Sequence, residues 1–200
     1  MFEVTFFFMQ FIWIIFTVIL IIVIVYTIRQ SKELKQLFEN QALKRNGTIS
    51  GFFSNLKLIF HHGDQPVRVS VYPGSRYRSA YTRVDIGVRN PMNRKVKIYG
   101  ESWASSIGKL VGMQDIQIGS DSFDSQFIIK GNDEYFVTSL LTLTVQDKLL
   151  ALRPHRVTLT LTHNNLQLSV PKLLETEEDY DLLIDTALLI ADRLKELGHF

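Results

Sequence analysis

Cysteine is absent from this 200-residue sequence, and charged residues are absent from a long stretch near its start. Without cysteine the chain forms no disulfides and no thiolate metal sites, which suits a reducing compartment. Residues 4–28 contain neither a charge nor a glycine. Because no small-xxx-small pattern occurs there either, tight helix dimerisation is not predicted, and the lack of charged groups argues against a transport pathway.

The same uncharged stretch is typical of a membrane-spanning helix. At about 1.5 Å per residue its 25 residues would extend roughly 37 Å, more than the roughly 30 Å hydrocarbon core of a bilayer. A cleaved signal peptide would need a basic start, an apolar core of about 7–15 residues and a small-residue cleavage site. Here Glu3 precedes the apolar run, the run is longer than such a core, and no A-x-A-like site follows it. We therefore predict a retained anchor over residues 1–28.

The charges that flank the apolar stretch predict its orientation. Glu3 precedes it, whereas Arg29, Lys32 and Lys35 follow it. Because basic residues collect on the cytoplasmic side, we expect the N-terminus outside and the remainder of the chain in the cytoplasm. The first predicted partner is therefore the lipid bilayer of the plasma membrane, crossed once.

The residues after the anchor divide into a stalk and one domain. Leu34, Leu37 and Phe38 recur at helical spacing, and Asn46-Gly47 is a stop signal, so residues 29–46 are predicted to form a juxtamembrane helix or stalk. A stalk that packs on the domain is favoured over a helix lying along the bilayer, because the apolar stripe is narrow. Residues 47–200 are long enough for one soluble domain.

The first half of this domain, residues 47–100, is predicted to be rich in strands. Short runs of alternating apolar and polar residues are separated by turn signals such as Pro73-Gly74 and Asn90-Pro91. The predicted inward-facing residues are Leu56, Leu58, Phe60, Val67, Val69, Val71, Ala80, Thr82, Val84, Ile86, Val88, Val96 and Ile98. Such runs favour an antiparallel sheet with one solvated face.

The second half, residues 101–200, is predicted to be mixed. Residues 102–111 would form a short helix or a loop, and 119–124 a loop. Strands are expected at 115–118, 126–129, 156–161 and 166–170, and helices at about 134–141 and 144–152. The fold class is therefore α+β: an N-terminal membrane helix, then a domain of antiparallel strands that ends in a helix.

That closing helix is predicted over residues 177–197. Thr176 is the expected N-cap, with Asp179 at the third helical position, and Gly198 is the stop signal. Its predicted core stripe is Leu182, Leu183, Leu189, Ile190 and Leu194.

The C-terminal region, from about residue 118 to residue 197, contains a short aromatic and acidic element. Phe123, Asp124 and Phe127 form an FD-x2-F pattern, which is followed by the two helices, the hairpin and the acidic start of the last helix. This arrangement resembles uncharacterised bacterial membrane-anchored domains of unknown function. The resemblance implies a bacterial membrane protein of unknown function and transfers no catalytic residue. Together with the predicted topology, this places the protein in the bacterial inner membrane.

Charge is distributed unevenly along the domain. Between residues 66 and 97 there are eight basic residues against Asp85 alone, whereas from residue 115 onward 14 acidic residues oppose seven basic ones. The outward-facing strand positions in and near the basic block are Arg68, Tyr72, Tyr81, Arg83, Lys95, Lys97 and Tyr99. They predict either contact with an anionic surface or a solvated face packed against the acidic C-terminal helix, and the second interpretation is favoured.

Candidate catalytic and metal-binding patterns are incomplete. Ser106-x-x-Lys109 has the spacing of penicillin-recognising serine enzymes, but the companion motifs are missing. The adjacent His61 and His62 would point to opposite sides of a strand and chelate poorly. We therefore predict no catalytic residue, no metal and no cofactor.

The function predicted from the sequence is a non-enzymatic interaction or scaffold module at the cytoplasmic membrane face. Its partners would be the bilayer and other membrane or cytoplasmic proteins, and nucleic acid is disfavoured. Two alternatives stay open: a domain that docks on anionic lipid through its basic sheet face, and a membrane-bound hydrolase whose site is assembled from dispersed residues.

Overall fold

A single helix, α1 (Phe2–Arg45), contains both the apolar stretch and the expected stalk. The computed structural model describes residues 2–51, 55–77, 79–100 and 113–198, with side chains from residue 13 onward. Every residue from 13 to 28 is exposed, and the helix is long and apolar enough to cross a membrane. The two helical segments predicted from the sequence are therefore joined without a break.

The end of α1 follows from its last two residues and the turn behind them. Lys44 and Arg45 lie in the final turn, where positive charge opposes the negative end of the helix dipole. Asn46 adopts a left-handed conformation with φ of 51°, and the Gly47 N–H donates to the Ala42 carbonyl at 2.8 Å. The predicted stop at Asn46-Gly47 is confirmed, because this geometry satisfies a carbonyl at the helix end.

The described residues after α1 form a nine-stranded antiparallel sheet. Its strands are β1 (Thr48–Ser50), β2 (Lys57–His62), β3 (Gln65–Tyr72), β4 (Tyr81–Gly87), β5 (Val96–Gly100), β6 (Gln114–Ile116), β7 (Phe127–Gly131), β8 (Thr158–Leu161) and β9 (Asn165–Val170). Their order across the sheet is β1-β2-β3-β4-β9-β8-β5-β7-β6. The C-terminal hairpin is therefore inserted between β4 and β5, so that one sheet joins both halves of the domain.

One face of the sheet carries the core. Paired positions form an apolar row across eight strands: Leu58, Val69, Val84, Leu168, Leu159, Ile98, Ile129 and Ile116. Each of these side chains is buried. Because side chains alternate between faces, the period-two pattern of the sequence places all of them on the same side.

Four further α-helices and a short 3-10 helix (Arg153–His155) complete the described fold. The α-helices are α2 (Asp121–Asp124), α3 (Glu134–Leu140), α4 (Leu143–Ala151) and α5 (Glu177–Glu196). The main core helix, α5, contacts β4 and β9 and buries Leu183 and Ile190. The Thr176 side chain accepts a hydrogen bond from the Asp179 backbone N–H, as the sequence predicts for its N-cap.

The core stripe of α5 differs from the predicted one in part. Leu183, Ile190 and Leu194 are buried, but Leu182 and Leu189 are only half-buried. Their expected central places are taken by other buried residues: Tyr180, Ile184, Thr186, Ala187 and Ala191. The two leucines lie at the edges of the apolar face, because a helix on a sheet buries a continuous arc in which alanine and threonine also belong.

The FD-x2-F element is structural. The Phe123 and Phe127 rings stack with their centroids 4.8 Å apart, and both residues are buried. The Asp124 carboxylate accepts hydrogen bonds from the backbone N–H groups of Ile118, Gly119 and Ser120. The loop predicted at 119–124 therefore contains a one-turn helix, whereas the helix or loop predicted at 102–111 lies outside the described residues.

Candidate functional site

The second face of the sheet has no described helix packed on it. Its side chains alternate with the buried core rows, and the row through the middle of the sheet contains Ile59, Arg68, Asp85, Gln167, Thr160, Lys97, Lys130 and Asp115. We call this surface the open face. Among the strand residues that alternation places on it, five are basic and two acidic: Lys57, Arg68, Arg83, Lys97 and Lys130 against Asp85 and Asp115.

The acidic C-terminal helix lies on the opposite, covered face. Because α5 buries its apolar arc against β4 and β9, the interpretation that the basic strands pack against this helix is wrong. The acidic start of α5 instead meets α1: Asp181 lies 2.5 Å from Lys44 Nζ and 2.9 Å from an Arg45 Nη, and Asp185 lies 2.7 Å from that same Nη.

The joint between α1 and α5 is partly buried. Leu34, Phe38 and Ala42 are buried among the core residues, and the Phe38 ring meets the Tyr180 ring edge-on at 5.6 Å. Burial by itself would raise the pKa of Asp181, but hydrogen bonds from Lys44, Gln41 and Arg45 outweigh it, so that the pKa lies below its ordinary value. The stalk packs on the domain, as the sequence predicts.

These contacts also give the direction of α1 relative to the sheet. Asn40 contacts Glu177 and Arg45 contacts Asp185, so α1 and α5 run parallel. The strand β9 ends shortly before α5 begins, whereas Asp192 near the end of α5 lies 2.8 Å from His62. The strand ends at Tyr72, Tyr81 and Val170 therefore face the side from which α1 approaches. We call these ends the anchor end, and the ends at His62, Gly87 and Asn165 the far end.

The residues predicted to contact an anionic surface fall into two groups. Tyr72, Tyr81 and Arg83 lie together at the anchor end, and the two tyrosine rings stack with their centroids 5.6 Å apart. Arg68 is exposed and lies opposite Asp85 on the neighbouring strand. With β9 and β8 between β4 and β5, the second group lies roughly 14 Å away.

That second group is less exposed than the sequence predicts. Tyr99 is only 3% exposed, so the expectation that its ring faces solvent is wrong. In register it lies between Ile128 and Thr158 on the neighbouring strands. Lys97 is half-buried and its pKa is lowered by that burial, while Lys95 precedes the paired part of β5.

Arg83 is held in place by two neighbours on its own strand. Its Nε lies 2.9 Å from Asp85 Oδ2, and its guanidinium carbon lies 5.2 Å from the centre of the Tyr81 ring. The Asp85 carboxylate also accepts a hydrogen bond from the Asn165 side chain at 3.1 Å. Within the described part of the chain no residue pairs with the terminal Nη atoms of Arg83. Their N–H groups can therefore still donate hydrogen bonds to a ligand.

A pocket of about 260 Å³ opens beside Arg83. Its polar lining comes from Ser79, Tyr81, Arg83, Thr158, Gln167 and Ser169, and none of its described lining residues is acidic. Sequence reasoning missed Thr158, Gln167 and Ser169, which belong to the C-terminal hairpin. Their alternation with buried residues was visible, but only the pairing of β9 with β4 brings them beside Arg83.

Within the part of the chain that the structure describes, the other candidate chemistry does not converge. The described residues contain no group of three or more histidine and carboxylate side chains that could hold a metal ion. His62 and His155 each lie beside a single carboxylate, Asp192 and Asp179 respectively. The serine and lysine of the S-x-x-K pattern lie outside the described residues.

Comparison with known proteins supplies one likeness of fold. No protein-family model matches the chain, and no curated protein matches it in sequence. The structure is similar to the crystal structure of the mycobacterial trehalose monomycolate transport factor A, with a TM-score of 0.56 and 8% sequence identity. The match covers 80% of this chain and 93% of the other. At this identity the likeness shows a shared fold.

Proposed function

We propose that this protein is a non-enzymatic interaction module held at the cytoplasmic face of the bacterial inner membrane. In this proposal residues 1–28 are the anchor, 29–46 the stalk and 47–200 the domain. The observation that carries the proposal is the course of α1, which runs unbroken from the apolar stretch into its contacts with α5. A domain fixed in this way presents its open face at a set distance from the bilayer.

The proposed orientation depends on the basic residues that follow the apolar stretch. Arg29, Lys32 and Lys35 are exposed on α1 immediately after it, whereas Glu3 precedes it. Basic residues are retained on the cytoplasmic side during insertion, so the domain would lie in the cytoplasm.

The composition of the pocket favours binding over catalysis. An arginine, a tyrosine and neutral hydroxyl and amide groups line it, which are donors for an anion rather than a nucleophile with an adjacent base. The mycobacterial protein of similar fold is named as a transport factor. From this likeness we propose for this chain only a membrane-associated role, and we do not propose that it handles trehalose monomycolate.

Fractionation and a topology reporter test the anchoring. We expect the full chain to stay in the membrane fraction after an alkaline carbonate wash, and a reporter fused after residue 200 to show cytoplasmic activity. Release by carbonate would contradict the anchor, and a periplasmic reporter signal would contradict the orientation.

Site-specific crosslinking tests the interaction role. A photoreactive amino acid at Gln167 on the open face is compared with one at Asp147, which is exposed on α4. We expect adducts of defined mass at Gln167 and none at Asp147. Equal crosslinking at both positions would mean that the open face is not a preferred contact surface.

A further inference from the structure

We propose that the pocket beside Arg83 binds the phosphate of an anionic phospholipid headgroup in the membrane that α1 crosses. This inference rests on the proposed anchoring, and it adds a ligand class and a defined site. Three observations carry it: the position of the pocket relative to α1, the donors that line it, and the residues at its rim.

The position of the pocket follows from the short distance between the anchor and the domain. Leu34 is already buried against the domain, and it lies only six residues after Ile28. At about 1.5 Å per residue this is roughly 9 Å along α1, close to the depth of one headgroup layer. The anchor end of the sheet is therefore held against the headgroups, and Tyr81 and Val170 place the pocket at that end.

The donors in the pocket suit a phosphate. Asp85 forms an ion pair with the Nε side of the Arg83 guanidinium, without hydrogen-bond geometry, and leaves the terminal nitrogens to make a paired contact with phosphate oxygens. Hydroxyls of Thr158 and Ser169 and the amide of Gln167 line the same space. About 260 Å³ accommodates a phosphate with part of its glycerol, while the acyl chains would stay in the bilayer.

Residues 75–77 and 172 lie close in sequence to residues that line the pocket, and we call them its rim. They have the composition of a membrane interface. Tyr77 is 90% exposed in the loop between β3 and β4, and the Arg76 guanidinium lies 6.0 Å from its ring centre. Lys172 is exposed just after the pocket residue Pro171. An exposed tyrosine flanked by basic residues is the type of surface that settles at anionic headgroups.

The experiment uses the full chain in nanodiscs. Because the chain has no cysteine, Ser75→Cys in the exposed rim loop provides a single site for a fluorophore that reports local polarity. The nanodiscs contain phosphatidylcholine with increasing fractions of phosphatidylglycerol. We expect a saturable blue shift of the emission as the anionic fraction rises.

Two arginine variants of equal charge change locate the response. Arg83→Gln should raise the phosphatidylglycerol fraction at half response by about tenfold, or beyond pure phosphatidylglycerol, because it removes a charge-assisted pair. Arg89→Gln is the matched control: it is exposed at the far end of β4, roughly 20 Å from Arg83, and should change the midpoint by less than about twofold. Arg83→Lys retains the charge but lacks the paired guanidinium N–H groups, so its phosphatidylglycerol fraction at half response should lie between those of Arg83→Gln and the unaltered chain.

Several outcomes would overturn the proposal. Equal effects of Arg83→Gln and Arg89→Gln would indicate diffuse electrostatic attraction in place of a pocket. An emission that does not change with the phosphatidylglycerol fraction would exclude both the pocket and the diffuse attraction. If glycerol phosphate added to phosphatidylcholine nanodiscs produces the same blue shift, the pocket binds a soluble phosphate ester and the lipid assignment is wrong. Circular dichroism establishes that each variant is folded. A chain that resists carbonate extraction but shows no response contradicts the pocket alone, whereas carbonate release contradicts the anchoring itself.

Discussion

The two faces of the nine-stranded sheet have the same backbone and opposite physical roles. On the covered face, paired apolar residues such as Val84 and Leu168 are fully buried beneath α5. On the open face, their sequence neighbours Arg83 and Gln167 are half-buried and polar. Most of the stability therefore comes from one face, which leaves the other free to vary in chemistry at little energetic cost.

The largest expected difference between the faces is in stability. Leu168→Ala should lower the free energy of unfolding by about 2–5 kcal/mol, because it leaves a cavity in a site that is fully buried. Gln167→Ala, one residue earlier on the open face, should change it by less than about 0.5 kcal/mol. Urea unfolding of the full chain in detergent measures both. Comparable losses would show that something packs tightly on both faces.

A smaller effect on the free energy of unfolding is expected at the contact between α1 and α5. Asp181→Asn should cost about 1–2 kcal/mol at pH 7, because Lys44, Gln41 and Arg45 then lose a charged acceptor. The pKa of Asp181 is lowered in the folded protein, so its contribution is present above the unfolded pKa of about 3.9 and is lost as the pH falls towards the folded pKa.

The pH dependence distinguishes this joint from a general loss of packing. Unfolding curves at pH 7 and pH 3 should differ less in Asp181→Asn than in the unaltered chain. Asp185→Asn is the control, since that carboxylate is more than half exposed and, among the described residues, pairs with Arg45 alone. If Asp185→Asn flattens the pH dependence as much as Asp181→Asn does, the assignment to Asp181 is wrong.

The smallest effect on stability is expected at the proposed site. Arg83→Gln removes an ion pair to Asp85 that is about one-third exposed on the arginine side, so the free energy of unfolding should fall by no more than about 1 kcal/mol. Thermal unfolding measured beside the nanodisc titration would separate stability from binding. A loss larger than that of Leu168→Ala would mean that Arg83 is structural.

Much of the fold follows from local patterns. The alternation at Val67, Val69 and Val71 and in the C-terminal hairpin predicts strands that the structure contains. Thr176 and Asn46-Gly47 mark helix ends correctly, because capping depends on a few neighbouring residues. The stripe of α5 was less predictable, since Leu182 and Leu189 are apolar and yet lie at the edge of its buried arc.

The candidate site was only partly predictable. Alternation predicts Arg83 and Tyr81 as outward-facing, but Thr158, Gln167 and Ser169 come from 75 to 88 residues further along the chain. Strand order is determined by long-range pairing, which leaves no local signal. Alternation likewise places Tyr99 on the outward side of β5, but it carries no information on the burial of that side chain, which is only 3% exposed in the folded chain.

The sequence by itself determined the long apolar helix, the α+β class and the alternation that separates an apolar face from a polar one. These properties follow from local composition and from periods of 3.6 and 2 residues. Only the tertiary structure decided which face α5 covers, how α1 is fixed to it, and which hairpin completes the pocket at Arg83. Each of these features depends on which distant segments of the chain lie side by side, and the packing of the whole core determines that arrangement.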